Sequence, residues 1–404
     1  MKIGMILDSY FPYDIRVEKE ARTLLNAGFD VNLLCIAQKG KPNYENIYGL
    51  KVYRTNIPKG NIISKFWTVV NALIFIHPLW LNAINEFVKK NEIEVLHVHD
   101  LPLVNTALKV KRKLKIPVIA DFHENYPEAL TCWNKWTRNP IRKIINKILF
   151  SHDKWIRNEG KVCLKVNNII VVTKEMKKRL IKMYNVPNKK VILIPNTEEL
   201  RFIRNAKIYW DIVKRYKNRF VISYIGGFGP HRGLDIAIEG MTYIKKEIPN
   251  SLLLLVGRGS KDVENKLKKL VRKNDLEENV EFVGWQFFDK VYTYIYLSNI
   301  GLVPHNKNGH TDHTVPHKLF QYMMVGIPVV VSSCIPLKRI VRELNSGFFF
   351  EAGNCKSFSE KIIELYKHPE FAKILGKNGK KGTIQGEWNW ENTSKSLVDL
   401  YKSF

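Results

Sequence analysis

The chain has 404 residues, of which 45% are hydrophobic and 11% aromatic, the composition of a folded globular protein long enough for two sizeable cores. Its five cysteines, Cys35, Cys132, Cys163, Cys334 and Cys355, are odd in number and lack any Cys-x-x-Cys spacing, which excludes a disulfide framework or a zinc knuckle and points to the reducing cytosol. The formal net charge is +27, and residues 131–190 carry 16 basic against 3 acidic side chains, so about half of the excess falls in one segment.

In chain order, Lys2 leads directly into the strand-like run Ile3–Leu7, without the long apolar region and small-residue cleavage site of a signal peptide, so a cytoplasmic protein is expected. The β-branched runs Val31–Ile36, Val52–Arg54, Val95–His99, Val118–Phe122, Ile169–Val172 and Val191–Pro195 follow, separated by helical patterns. The longest apolar stretch, Trp67–Leu81, is broken by Asn71, His77 and Pro78, too short and too polar to span a bilayer. Within the basic segment, Ile141, Ile144, Ile145, Ile148, Leu149, Trp155 and Ile156 recur at helical spacing among Arg142, Lys143, Lys147, Lys154 and Arg157, with Trp133 and Trp136 just upstream. A basic amphipathic helix flanked by tryptophans suits an anionic membrane surface, making the protein peripheral on the inner face of the membrane. A core-facing isoleucine stripe with a solvated lysine face is the plainer alternative. Nucleic acid is not expected as a partner, since no nucleic-acid-binding motif accompanies the charge.

Residues Asn196–Asn218 are polar and lack a clear strand, which makes them the connector. The strand–helix alternation then starts again with Val221–Ile225, Leu252–Val256, Val280–Val283, Ile300–Pro304, Val329–Ser332 and Phe348–Phe350. Two parallel βαβ arrays are thus predicted: an α/β protein of two Rossmann-like domains, with ligands at the carboxyl ends of the strands in a cleft between the sheets. The expected divisions are 1–198, 199–386 and 387–404. In the last, Trp388, Trp390, Leu397, Leu400 and Tyr401 suggest a terminal helix with one apolar face.

The second array carries the turns suited to phosphate. Gly226-Gly227-Phe-Gly229-Pro-His231-Arg232-Gly233 follows a strand and opens a helix, so its backbone can approach an anion closely with Arg232 beside it. The spacing is neither that of a P-loop nor Gly-x-Gly-x-x-Gly. Gly257-Arg258-Gly259 repeats the theme more weakly, and a strand-terminal glycine is equally the mark of a tight βα turn. From His313 to Ser332, a loop opens a short helix that runs into a buried strand. Thr314 is the expected N-cap, Pro316 fits the first turn, Leu319, Phe320 and Met323 form the apolar face, and Gly326-Ile-Pro328 ends the helix. Such an N-terminus offers donors and partial positive charge to a diphosphate.

The order and spacing of these motifs resemble the retaining glycosyltransferases of the GT-B fold, family four, over essentially the whole chain. The resemblance rests on Arg16–Ala21, His97–Asp100, Asp121–Glu128, Val191–Asn196, Gly226–Gly233, Gly257–Gly259, Val283-Gly284 and His313–Pro328. It implies transfer of a hexosyl group from a nucleoside diphosphate donor, with retention, no metal and no cofactor, as in polysaccharide biosynthesis. The donor would lie mainly on the second domain and a glycan or lipid-linked acceptor on the first, with the terminal helix crossing back to pack on that first domain. The donor-binding candidates are Gly226, Gly227, Arg232, Gly257, Arg258, His313, Thr314, Val315, Pro316, His317, Lys318 and Gln321. The family's paired glutamates align with His313 and Gln321, so both carboxylates are absent; Gln321 can still offer an acceptor and donors to a ribose. Arg232 matches a phosphate-gripping position, and Arg258 or Lys318 stands in for the second basic residue, which is Gly227 here. The catalytic candidates are Arg232 and Lys318, since cleavage of a sugar–diphosphate bond develops charge that fixed cations stabilise, and His123, which resembles the family histidine that reaches into the cleft near the sugar. Arg16, His99 and Glu124 are acceptor-side candidates, and Asp121 reads as structural. An epimerase acting on a nucleotide sugar and a non-catalytic sugar-nucleotide or polyanion-binding protein are the alternatives.

Overall fold

In the computed structural model, which describes residues 1–58, 60, 62–135 and 140–404, the β-branched runs condense into two separate sheets. The chain divides into one unit of residues Met1–Pro195 with Ser394–Phe404 and a second of Asn196–Thr393.

The first unit holds β1 (Lys2–Ile6), β2 (Asp30–Ile36), β3 (Tyr44–Ile47), β4 (Leu50–Thr55), β5 (Val95–His99), β6 (Val118–Phe122), β7 (Asn168–Val171) and β8 (Val191–Leu193), in the spatial order β3-β4-β2-β1-β5-β6-β7-β8. Pairing is parallel except between β3 and β4. The central strands β5 and β6 are buried along their whole length, as a parallel sheet covered on both faces requires. Strand β3 is an addition to the sequence reading. It turns back onto β4 through Tyr48 and Gly49, with φ of 50° and 93°, a hairpin geometry that a tyrosine does not announce.

The second unit holds β9 (Phe220–Ile225), β10 (Ser251–Val256), β11 (Val280–Gly284), β12 (Ile300–Val303), β13 (Val329–Ser332) and β14 (Gly347–Phe350), all parallel, in the order β11-β10-β9-β12-β13-β14. The strand order reverses beside β9, so the turns after β9 and β12 border the crevice where open α/β sheets take ligands. The connector contains two short helices, Arg201–Arg204 and Trp210–Arg215, and belongs to this unit.

Three expectations need correction. Residues 387–393, grouped in sequence with the terminal helix, belong to the second unit, as do residues 196–198: the Trp390 N–H donates to the Glu198 carbonyl at 2.9 Å. Only the helix Lys395–Lys402 lies in the first unit, burying Leu397, Leu400 and Tyr401 there. The basic isoleucine pattern is two helices, Pro140–Leu149 and His152–Lys165, because Ser151 caps the second through the Lys154 N–H at 3.4 Å. Trp155 then enters the core against Phe75 and Tyr126, whereas Ile144, Ile145 and Ile148 are exposed. Trp136 and the side chains of Ile141 and Arg142 lie outside the described residues. Third, the helix after the loop at His313 spans His317–Val325 with Pro316 at its N-cap and no side-chain cap; Thr314 instead donates to the His310 carbonyl at 3.3 Å.

Among the described residues no single helix is long and apolar enough to cross a membrane. The apolar stretch read in sequence becomes the helices Ile62–Ile74 and Pro78–Asn91, bent by 86°. The second of them is a core helix, with Trp80 and Ile84 wholly buried.

Candidate functional site

In the second unit, Tyr224 and Tyr322 set the geometry. The Tyr322 hydroxyl donates to the Ser223 carbonyl at 3.0 Å and accepts the Ile225 N–H at 3.0 Å, which fixes the His317–Val325 helix against the end of β9. The Tyr224 hydroxyl donates to the Gly227 carbonyl at 2.8 Å and so holds the turn that follows. Gly226 and Gly257 meet there with φ of 132° and 144°; a Cβ on Gly257 would lie 2.0 Å from the Gly226 carbonyl oxygen. Two backbones can approach this closely only because residue 257 lacks a side chain.

Lys318, in the first turn of that helix, is buried, and its Nζ stands 3.4 Å from the centre of the Tyr224 ring without a hydrogen-bond partner. Burial, with the Arg232 charge nearby, holds its ammonium well below the usual lysine range. The Nζ also lies 2.8 Å from where a Cβ on Gly226 would sit, so lysine, glycine turn and uncapped helix start share one small volume. Arg232 adds a guanidinium whose Nη1 donates to His305 Nε2 at 3.0 Å. Burial, then Arg232, depresses the three histidines around it: His231 to about 3, His310 to about 4, and His305 well below its ordinary value. They are neutral at physiological pH, so the positive charge belongs to Arg232 and to whatever proton Lys318 retains. Anion binding is what this arrangement can do chemically.

The remaining donor candidates separate. Gln321, one turn beyond His317, donates from Nε2 to Glu198 Oε2 at 2.7 Å, and both side chains are buried. The carboxylate missing at position 321 is thus present beside it, from a residue the sequence reading did not select. His313 ends the turn Thr311–His313, with Nδ1 2.6 Å from the Gly309 carbonyl oxygen. Val315 packs into the core and Arg258 is exposed.

In the first unit, Asp14 caps the helix Ile15–Asn26 by accepting from the Arg16 and Val17 N–H groups at 3.0 and 3.2 Å. Arg16 and Glu20, one helical turn apart, thereby face β5 and β6, where His97 and His99 share a face and His99 stands opposite Asp121. Arg16, expected on the acceptor side, is buried and paired with Asp121 at 3.1 Å and Glu20 at 2.8 Å, and its Nη1 donates to the Ile194 carbonyl at 3.1 Å. His99, expected in the same role, is buried, its Nδ1 3.3 Å from Asp121. Glu124 is half-buried in the following loop.

His123 is the outermost histidine of this group. Its Nε2 lies 2.7 Å from Asp121 Oδ2 and its N–H donates to Asp100 Oδ1 at 3.3 Å. Burial alone would depress it, but Asp100 and Asp121 outweigh burial and push it up to about 10. Asp121, which burial would raise, is held well below the usual carboxylate range by Arg16 and His123. Deeper still, the Tyr401 hydroxyl, from the chain's last helix, meets His97 Nδ1 at 2.6 Å. Glu20, His97 and Tyr401 were not selected from sequence. The signal for the first two was periodic, Arg16 and Glu20 at helical spacing and His97 and His99 at strand spacing; Tyr401 had none.

Two family models match consecutive parts of the chain: Glycosyltransferase Family 4 over residues 15–197 and Glycosyl transferases group 1 over residues 208–382. The chain is similar to an uncharacterized glycosyltransferase, MJ1607, of Methanocaldococcus jannaschii, at 22% identity over 100% of this chain and 98% of that protein. Among solved structures it is similar to sucrose-phosphate synthase of Thermosynechococcus elongatus, with a TM-score of 0.81 at 17% identity, covering 100% of this chain and 98% of that one. It is also similar to HepE of Anabaena in complex with UDP-glucose, with a TM-score of 0.74 at 14% identity and 100% coverage of both chains.

Proposed function

From the premise that this chain belongs to the family-four glycosyltransferases and has their GT-B fold, we propose that it transfers a hexosyl group, with retention, from a nucleoside diphosphate sugar to a glycan or lipid-linked acceptor in polysaccharide assembly. The observation that carries the donor class is the convergence of Lys318 Nζ, the uncapped start of the His317–Val325 helix and the Gly226–Gly257 turns, with Arg232 beside them. In this reading the bond from the anomeric carbon to the diphosphate oxygen breaks, and its electron pair stays on the diphosphate. Lys318, Arg232 and the helix N–H groups stabilise that charge without a metal ion. The acceptor hydroxyl attacks from the same face and its proton goes to the departing phosphate, so no carboxylate pair is required. Glu198 and Gln321 are assigned to the ribose hydroxyls, and His123, held cationic by Asp121 and Asp100, to the transferred sugar.

A membrane-borne acceptor is favoured by a specific surface. Ile144, Ile145 and Ile148 are exposed, and the neighbouring helix Ile62–Ile74 exposes Ile62, Ile63, Phe66, Leu73 and Ile74. Lysines 143 and 147 lie along the same helix as the isoleucines. An apolar ridge edged with cations fits an anionic bilayer surface.

The test is a panel of uridine, guanosine and adenosine diphosphate sugars, scored by thermal shift and by release of the nucleoside diphosphate with and without EDTA. One donor should raise Tm and turn over in EDTA, and NMR of the product should show the donor's anomeric configuration. Inverted product, or turnover abolished by EDTA and restored by magnesium or manganese, would refute the mechanism.

A further inference from the structure

We propose that Glu20, His97, His99 and Asp121 form a buried structural site for one divalent transition-metal ion, zinc fitting best, inside the first unit. The side chains come from one helix and two adjacent strands, and their ligand atoms all lie within 4.8 Å of one another. His97 Nε2 is 3.4 Å from Glu20 Oε2 and 3.5 Å from Asp121 Oδ2, and His99 Nδ1 is 3.3 Å from Asp121 Oδ2 and 3.9 Å from Glu20 Oε2. A tetrahedral ion bound at 2.0–2.1 Å separates its ligand atoms by about 3.3–3.4 Å, so two of these four edges already have that length and a third is within 0.1 Å of it. His97 Nε2 and both Glu20 carboxylate oxygens, and also His99 Nε2, have no hydrogen-bond partner although these side chains are buried. Polar atoms so placed carry a large desolvation cost unless something occupies the space they share.

The surrounding groups orient the ligands, and His123 also reaches a ligand atom, its Nε2 3.2 Å from His99 Nδ1. Tyr401 engages Nδ1 of His97 at 2.6 Å, which turns Nε2 inward. Arg16 Nη2 takes the outer oxygens, Glu20 Oε1 at 2.8 Å and Asp121 Oδ1 at 3.1 Å. Asp121 Oδ2 also receives Arg16 Nε at 3.2 Å and His123 Nε2 at 2.7 Å. Two imidazoles and two carboxylates make a nitrogen–oxygen set typical of zinc. None of the four ligands is open to solvent, so the ion is structural, and its chemistry is independent of the donor reading above.

The experiment is metal analysis of the purified full-length chain, produced with zinc, manganese, iron and cobalt in the medium and dialysed against metal-free buffer. About one equivalent of a single metal should remain, and the cobalt form should show the intense visible bands of a tetrahedral site. Glu20→Gln with His97→Gln should lose the metal. Tyr401→Phe, which leaves all four ligands in place, should weaken its retention by about 10- to 100-fold. A wild-type chain that is folded by circular dichroism yet metal-free overturns the proposal and identifies the cluster as a proton-sharing ion network. So does metal retained equally by the double variant, or a cobalt spectrum of octahedral type.

Discussion

Replacing Lys318 by methionine should move stability and donor affinity in opposite directions. The Lys318 amine is buried against the Tyr224 ring with no hydrogen-bond partner. Its pKa is held well below the ordinary lysine value by burial, then by Arg232. At neutral pH the unfolded chain therefore keeps a proton that the folded chain holds poorly. That difference destabilises the native state, and the penalty shrinks as pH rises toward the unfolded value. Each unit of depression costs about 1.4 kcal/mol, and methionine, of similar length and apolar, removes that cost. Against it stands the lost cation–π contact, about 2 kcal/mol at most for a desolvated pair. The unliganded variant should therefore melt no lower than wild type at pH 7, and its advantage should fade toward pH 10. Donor binding should instead weaken by about 10- to 100-fold, the worth of one hydrogen bond to a charged phosphate. Calorimetric titration in buffers of different ionisation enthalpy should show proton uptake on donor binding to wild type and none in the variant. A destabilised variant that binds donor within twofold of wild type, or a wild type that takes up no proton, would refute the assignment of Lys318 to the anion site.

Gly257→Ala places a Cβ 2.0 Å from the Gly226 carbonyl oxygen at a φ of 144°, so urea denaturation should show a loss of more than about 2 kcal/mol, and the nucleotide-induced rise in Tm should disappear. Deleting residues 394–404 exposes the sites of Leu397, Leu400 and Tyr401 and should cost at least about 4 kcal/mol, read as a lowered first transition in calorimetry. Unchanged melting would show that the segment is dispensable. The wild-type chain should float with anionic but not neutral liposomes at low salt, and Ile144→Ser with Ile148→Ser, Lys143→Gln and Lys147→Gln should abolish flotation. Lys154 is left out because its Nζ donates to the Ala72 carbonyl at 2.6 Å. Glu198→Gln should raise the donor KM by about tenfold with kcat little changed, since it removes one charged acceptor from the ribose subsite.

The strands were legible because parallel strands buried on both faces must be nearly continuous β-branched runs, and Val95–His99, Val118–Phe122 and Val329–Ser332 end where the residue pattern ends. Strand β3 was not, because its hairpin depends on Tyr48 adopting a left-handed backbone, for which tyrosine has no preference. Thr314 has the residue type of a cap, but the helix begins later because Pro316 supplies the extended residue before it. The isoleucine pattern continues in phase across Ser151, and only the cap that Ser151 makes with the Lys154 N–H divides it. The glycine turns, Arg232 and Lys318 were legible as local chemistry. Glu198 and Tyr401 were not, since their partners lie 123 and 304 positions away, and for Glu20 and His97 the local spacing marks a shared face but not the partner 77 positions away.

The closing segment Ser394–Phe404 belongs to the unit that the chain begins, while Asn196–Thr393 forms the other unit from one uninterrupted stretch. During synthesis the ribosome therefore delivers every residue of the second unit before the first has its last helix. The uninterrupted unit can fold as it emerges. The interrupted one must wait, with β8 and the Ile15–Asn26 helix lacking the Lys395–Lys402 helix that packs on them and His97 lacking Tyr401. That pairing of residues 395–402 with residues 15–26 and 191–193 spans about 200 to 380 positions, so its closure should be slow and come late. A stalled nascent chain that ends before Ser394 should accordingly resist protease over residues 196–393 and remain sensitive over 1–195, reversing the usual expectation that the amino-terminal part matures first.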